Sequence, residues 1–244
     1  MDLSSTVTIP EGSPRRATGR KFRLARGPRC AHDRTMSDAS SHDIRTLPDL
    51  LALFGPVSSL AAVKAIPRLD AHCRRFIALS PFLVIGSADR EGRADTSPKG
   101  DPPGFVRVID DRTIAIPDRP GNNRLDSLRN IVENPDVAVI FFVPGVDETL
   151  RLNGQARLST DPSLLATMAV NGRTPVLAIV VELREAYLHC AKALKRSRLW
   201  DPRSQVERAE LPSLGRMILD QARSTEDVAA VEARIEQAYR DKLY

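Results

Sequence analysis

Cysteine is scarce and poorly placed for cross-linking. The 244 residues hold three, Cys30, Cys73 and Cys190, an odd number spread along the chain. That excludes a disulfide scaffold and any Cys-x-x-Cys zinc site, and it fits a reducing, cytoplasmic compartment. No apolar run approaches the ~18–20 residues that span a bilayer. Gly-x-Ser-x-Gly, His-Glu-x-x-His and Walker-type phosphate loops are all missing, which removes the common hydrolase, zinc-peptidase and nucleotidase signatures. No internal repeat occurs, and no strand–helix–strand alternation of the doubly wound type.

The body of the chain also lacks net charge. The formal +5 sits entirely in residues 1–35, which carry eight basic and three acidic residues. The remaining 28 basic and 28 acidic residues cancel. A neutral body has no basic footprint for nucleic acid, so the expected partner is a small molecule rather than nucleic acid or a membrane. Residues 1–40 read as a disordered, Arg-rich tail, because a segment with so little apolar periodicity cannot offset its ordering entropy. Met36 opens a stretch that reads like an ordinary protein start, so a mis-assigned start stands beside the disordered arm and an organellar targeting segment as readings of this region.

What is present is a short helical lead, then strands. Residues 47–54, 58–65 and 68–79 have helical spacing, and Ser80-Pro81 ends the third. Strand patterns follow at 82–85, 93–97, 105–109, 113–116, 137–143, 149–158 and 176–183, the last prolonged toward Leu188. Asp89-Arg90-Glu91-Gly92 reads as a hairpin turn. Helices are expected at 124–133, at 162–169 behind an Asp161 cap, and at 214–222 and 226–243, with Ser224 and Thr225 as candidate caps. Six or seven short antiparallel strands suggest a mainly β fold, a barrel or sandwich with flanking helices. The expected organisation is a tail at 1–40, a barrel domain with N-terminal helices at 41–205, and a helical extension at 206–244.

Three segments could carry chemistry. Asp118-Arg119-Pro120-Gly121-Asn122-Asn123-Arg124 follows a strand and is expected to open a helix. Unpaired N–H groups and the positive dipole end at a helix start suit a phosphate, and Arg119 and Arg124 add charge-assisted donors. Residue types alone leave open a polar loop with solvated arginines. Thr96-Ser97-Pro98-Lys99-Gly100-Asp101 ends a strand with two hydroxyls and a lysine, in a chain with only six lysines against thirty arginines; an ordinary polar turn is the alternative. Residues 187–200 gather His189, Cys190, Lys192 and the only tryptophan, Trp200. Neighbours on a strand point to opposite faces, so His189 is badly placed to activate Cys190, which reads as an idle or buried thiol.

Together these segments carry a resemblance. Ser97-Pro98-Lys99-Gly100-Asp101, the run Arg119 to Leu128, Asn134-Pro135 before an apolar strand, Leu150-Arg151-Leu152-Asn153-Gly154-Gln155-Ala156, and His189-Cys190-Ala191-Lys192-Ala193 with Leu199-Trp200 occur in the order and spacing of one family. From about residue 76 to 202 the chain resembles the pyridoxamine 5'-phosphate oxidase class of FMN-binding split β-barrel proteins, nearest to a branch of flavin-nucleotide-binding proteins. The resemblance implies a split barrel of six or seven strands, a homodimer, and FMN at the subunit interface. It implies that Thr96, Ser97 and Lys99 face the flavin ring or ribityl chain. Asn122, Asn123 and Arg124 would hold the phosphate, with Arg119 nearby, and His189 and Lys192 would approach the flavin from their own or the partner subunit. It further implies an FMN-dependent oxidoreductase acting on a small molecule. A flavin-binding protein without turnover, for storage or sensing, and a split barrel using deazaflavin or haem are the alternatives. The late Arg-x-His-Asp-Arg-like passage of pyridoxamine phosphate oxidases is missing.

Overall fold

The computed structural model describes residues 42–244; the expected tail at 1–40 lies outside them. The chain divides into two compact units, one ending at Gly55 and one spanning Pro56–Tyr244. In the first, the described residues hold a single short helix, α1 (Leu47–Ala52), whose first turn is capped by Thr46 accepting from the Asp49 N–H.

The second unit opens with α2 (Ser59–Val63) and α3 (Ala71–Leu79). The sequence places the start of α3 at Arg68, but Asp70 accepts from the Cys73 N–H at 2.8 Å and fixes the helix three residues later. That bond holds the Asp70 carboxyl below its ordinary pKa. Leu69, Cys73 and Ile77 are buried against the sheet, and burial pushes the Cys73 thiol up to about 11. Ser80 ends the helix as expected, and its buried hydroxyl donates to the Phe142 carbonyl at 2.6 Å.

Seven antiparallel strands form one sheet in the order β2-β1-β5-β6-β7-β4-β3. They are β1 (Phe82–Ala88), β2 (Ala94–Gly100), β3 (Arg107–Val108), β4 (Thr113–Pro117), β5 (Asp136–Val143), β6 (Val146–Ser159) and β7 (Ala178–His189). The hairpin between β1 and β2 turns where the sequence places it: Asp89 accepts from the N–H groups of Glu91 and Arg93, and Gly92 takes φ +79°. β5 is apolar after Asp136, yet only Val137, Val139 and Phe141 are buried, alternating with more exposed residues. Along β5 one sheet face meets the core and the other does not, whereas β4 and β7 are buried on both faces, with Ala115, Ala178 and Val180 packed on Leu165 and Met168. Leu83, Ile85, Ile114, Ile116, Leu150, Leu152, Ile179 and Val181 complete that core.

Several expected bounds shift. Phe105 and Val106 are buried but lie outside the short β3, so burial rather than ladder pairing explains their apolar character. β7 begins at Ala178 because Val176 is exposed and outside the ladder. α5 (Pro162–Ala166), capped by Asp161, stops before the expected 169 where Thr167 caps it. α4 (Asp126–Glu133) starts two residues after the expected Arg124, because Leu125 takes a left-handed φ of 60°. α6 (Lys192–Ser197) was not legible as a helix, being short and flanked by strand-like residues. α7 (Leu214–Ala222) and α8 (Val228–Asp241) follow, and Asp227 caps α8 in place of Ser224 or Thr225. Among the described residues no helix is long and apolar enough to cross a membrane.

Candidate functional site

The two edges of the sheet meet through ion pairs instead of ladder hydrogen bonds. β2 and β4 stand near opposite ends of the strand order. Nevertheless Lys99 Nζ on β2 lies 2.8 Å from Asp118 Oδ1, just past β4, and Arg119 Nε lies 2.6 Å from Asp101 Oδ2, just past β2. The sheet is therefore curled into a barrel whose open seam runs between β2 and the β4 end. A groove of about 1200 Å³ occupies that seam.

Seven of the nine residues singled out from sequence line this groove. Thr96, Ser97 and Lys99 come from β2, and Arg119, Asn122, Asn123 and Arg124 from the loop before α4. Along β2 burial alternates, so Ser97 and Lys99 share the more enclosed face and Thr96 the outer one. His189 and Lys192 lie elsewhere. β7 is twelve residues long, with Ala178 paired to Pro117 beside the groove and His189 at the other end opposite Thr149, while Lys192 opens α6. Cys190 is exposed and also outside the groove.

Each groove cation already has a carboxylate partner, and the three pairs differ in how firmly they are held. The Arg119 side chain is 14% exposed, and that of its partner Asp101 is 1% exposed. Arg119 also donates to the Met168 carbonyl at 2.9 Å and stands 5.4 Å over the Tyr244 ring, so its guanidinium is held by three neighbours. The Lys99–Asp118 pair is nearly as enclosed. Arg124 is different: its side chain is 74% exposed and it meets Asp126 at 2.7 Å. Exposed pairs of this kind contribute little and exchange easily. Arg124 is thus the groove cation most readily turned toward an incoming anion.

The backbone beside Arg124 is arranged unusually. Asn122 Oδ1 accepts from the Arg124 N–H, and Asn123 and Leu125 both take left-handed φ values of 57° and 60°. Such conformations cost energy for a leucine and persist only where the surroundings impose them. α1, α3, α5, α7 and α8 each have a side-chain cap at the N-terminus. α2, α4 and α6 have none, and of these α4 is the one whose first turn, Asp126, Ser127 and Leu128, lines the groove.

A family model described as pyridoxamine 5'-phosphate oxidase matches residues 69–190. The chain belongs to the pyridoxamine 5'-phosphate oxidase family. The match covers the whole barrel and eight of the nine residues singled out from sequence, leaving Lys192 and the C-terminal helices outside. Among solved structures similar to this family member, HupZ of Group A Streptococcus is 14% identical, with a TM-score of 0.40, covering 49% of this chain and 93% of its own. General stress protein 26 of Bacillus anthracis is 14% identical, with a TM-score of 0.37, covering 48% of this chain and 93% of its own. An FMN-binding protein from Syntrophomonas wolfei is 9% identical, with a TM-score of 0.37, over 48% of this chain and 88% of its own. No curated protein matches the chain.

Sequence reasoning assigned no role to Asp101, Asp118, Ser127 or Tyr244, all of which line the groove. The two aspartates stood inside quoted motifs, and their opposite charge to Lys99 and Arg119 was the available signal. Tyr244 left no such signal, because nothing local ties it to Asp101, 143 residues away.

Proposed function

We propose that the groove binds FMN and that the protein is an FMN-dependent oxidoreductase acting on a small molecule, working as a cytoplasmic homodimer. The observation that carries this reading is the uncapped start of α4 beside the exposed Arg124, at one end of a groove that lies largely within the family-matched segment. A dianionic phosphate suits N–H groups at a helix start together with one exchangeable guanidinium. Arg124, Asn122 and Asn123 would hold the phosphate, with Arg124 leaving or sharing Asp126. Arg119, committed to Asp101 and Met168, would support the wall of the groove. Thr96, Ser97 and Lys99 would flank the ribityl chain and ring, and the Lys99 ammonium would favour an anionic reduced ring. Bound FMN supplies hydride-accepting and hydride-donating chemistry; the protein supplies binding and orientation.

The homodimer is supported by the outer face of β1 and β5. Phe82, Val84, Ile140 and Phe142 stand there in register, with the two phenylalanine rings 6.1 Å apart and Phe82 40% exposed. Such a face suits a self-complementary interface. His189 and Lys192 could reach flavin only across such an interface, since they stand outside their own groove. The test of the cofactor is the absorbance of the purified protein, followed by anaerobic addition of a reduced nicotinamide dinucleotide and then an acceptor. Oxidised-flavin bands that bleach and return support an oxidoreductase. Bands that never bleach with any reductant or substrate leave a flavin-binding protein without turnover.

A further inference from the structure

We propose that Tyr244 is a positioning residue that closes the ring end of the groove. The proposal rests on the reading of the groove as a flavin site.

Three ties from separate parts of the barrel unit converge on this residue. Its phenol donates to Asp101 Oδ1 at 2.8 Å, its ring lies 5.4 Å from the Arg119 guanidinium, and its main-chain oxygen accepts from Arg173 Nη1 at 2.7 Å. Donation to Asp101 raises the phenol above its ordinary pKa. Asp101 is almost wholly buried and held by Arg119, so the phenol is anchored on a fixed point. Tyr244 and its neighbour Leu243 both line the groove. Neither belongs to the family-matched segment, which ends at residue 190. The wall is thus an addition by the C-terminal segment after α8.

The position of the wall follows from the direction of the groove. α4, which Arg124 precedes, is tied through Asn130 to Ser87, the β1 residue paired with Asp95 near the start of β2, whereas Tyr244 is bonded to Asp101, just past the other end of β2. Six residue steps at ~3.3 Å each separate these points by roughly 20 Å, comparable with an extended flavin mononucleotide. With the phosphate at Arg124, the isoalloxazine end of the ligand meets Tyr244. An anchored aromatic ring there would limit how far the flavin slides and would fix its register against Lys99.

The experiment uses the full chain and three probes titrated by flavin fluorescence: FMN, riboflavin, and lumiflavin, which keeps the ring but lacks the ribityl phosphate. Tyr244→Ala is expected to weaken all three by a similar factor, roughly 3- to 10-fold, the scale of one aromatic contact. Tyr244→Phe, which keeps the ring and loses the bond to Asp101, is expected to restore most of that affinity. Arg124→Ala should spare riboflavin and lumiflavin, which separates the two ends of the groove. A Tyr244→Ala protein that binds lumiflavin like the parent overturns the proposal. So does a Tyr244→Phe protein as weak as Tyr244→Ala, since the hydroxyl tie and not the ring would then matter. A parent that binds none of the three overturns the flavin reading itself, a result distinct from either.

Discussion

Arg124 is the residue on which the phosphate reading turns. It is the exposed member of the three groove cations, and its Asp126 partner is exposed enough to release it. Arg124→Ala removes a charge-assisted contact to a dianion, so FMN affinity should fall roughly ten- to hundred-fold. Riboflavin, which lacks the phosphate, should bind variant and parent alike. Arg223→Ala, at the end of α7, should change neither titration. Equal loss of FMN and riboflavin would instead make Arg124 a support of the loop. The candidate residues were legible in the sequence where the chemistry is local: a lysine ending a strand, and Asn-Asn-Arg before a helix. Their partners were not, because Lys99–Asp118, Arg119–Asp101 and Tyr244–Asp101 form only when the barrel closes.

At the scale of elements, β6 and β7 form the longest pairing of the sheet, and one glycine lets it bend. The register slips between Asn153 and Gly154, where the β7 partner jumps from Glu185 to Leu183 and leaves Arg184 unpaired. A Cβ on Gly154 would clash with the Glu182 carbonyl oxygen, a backbone atom that cannot swing aside. Gly154→Ala is therefore expected to destabilise the fold by about 1–3 kcal/mol or more, read as a lower denaturant midpoint with an unchanged slope. A variant as stable as the parent would show that the strands can separate at this bulge without cost. The glycine is visible in the strand expected at 149–158, but the carbonyl facing it belongs to β7 and is not. The alternation of β6 is readable in the sequence, and β1 is readable as a short apolar run before a hairpin turn. The start of α4 was misplaced because left-handed Leu125 is set by the loop around it and not by its own preference. The failure there coincides with the candidate phosphate site, where locally unfavourable backbone is expected to gather.

For the whole molecule, a curled sheet with an apolar outer stripe on β1 and β5 predicts self-association. Light scattering on the flavin-loaded protein should give twice the chain mass, and a Phe142→Asp variant should shift it toward the monomer. A flavin-loaded parent of monomer mass would remove the dimer, and with it any role for His189 and Lys192 at the groove. That the chain would be mainly β, antiparallel and of six or seven strands could be read from short apolar runs separated by turn signals. That the seam between β2 and β4 would become the groove could not, since it depends on how far the sheet curls.

The most direct measurement is the visible absorbance of the full-length protein purified without added cofactor, together with its thermal shift on adding FMN. A yellow protein with oxidised-flavin bands, releasing stoichiometric FMN on denaturation and gaining melting temperature with added FMN, is the predicted result. A colourless protein whose melting temperature does not move with FMN would contradict the assignment of the groove.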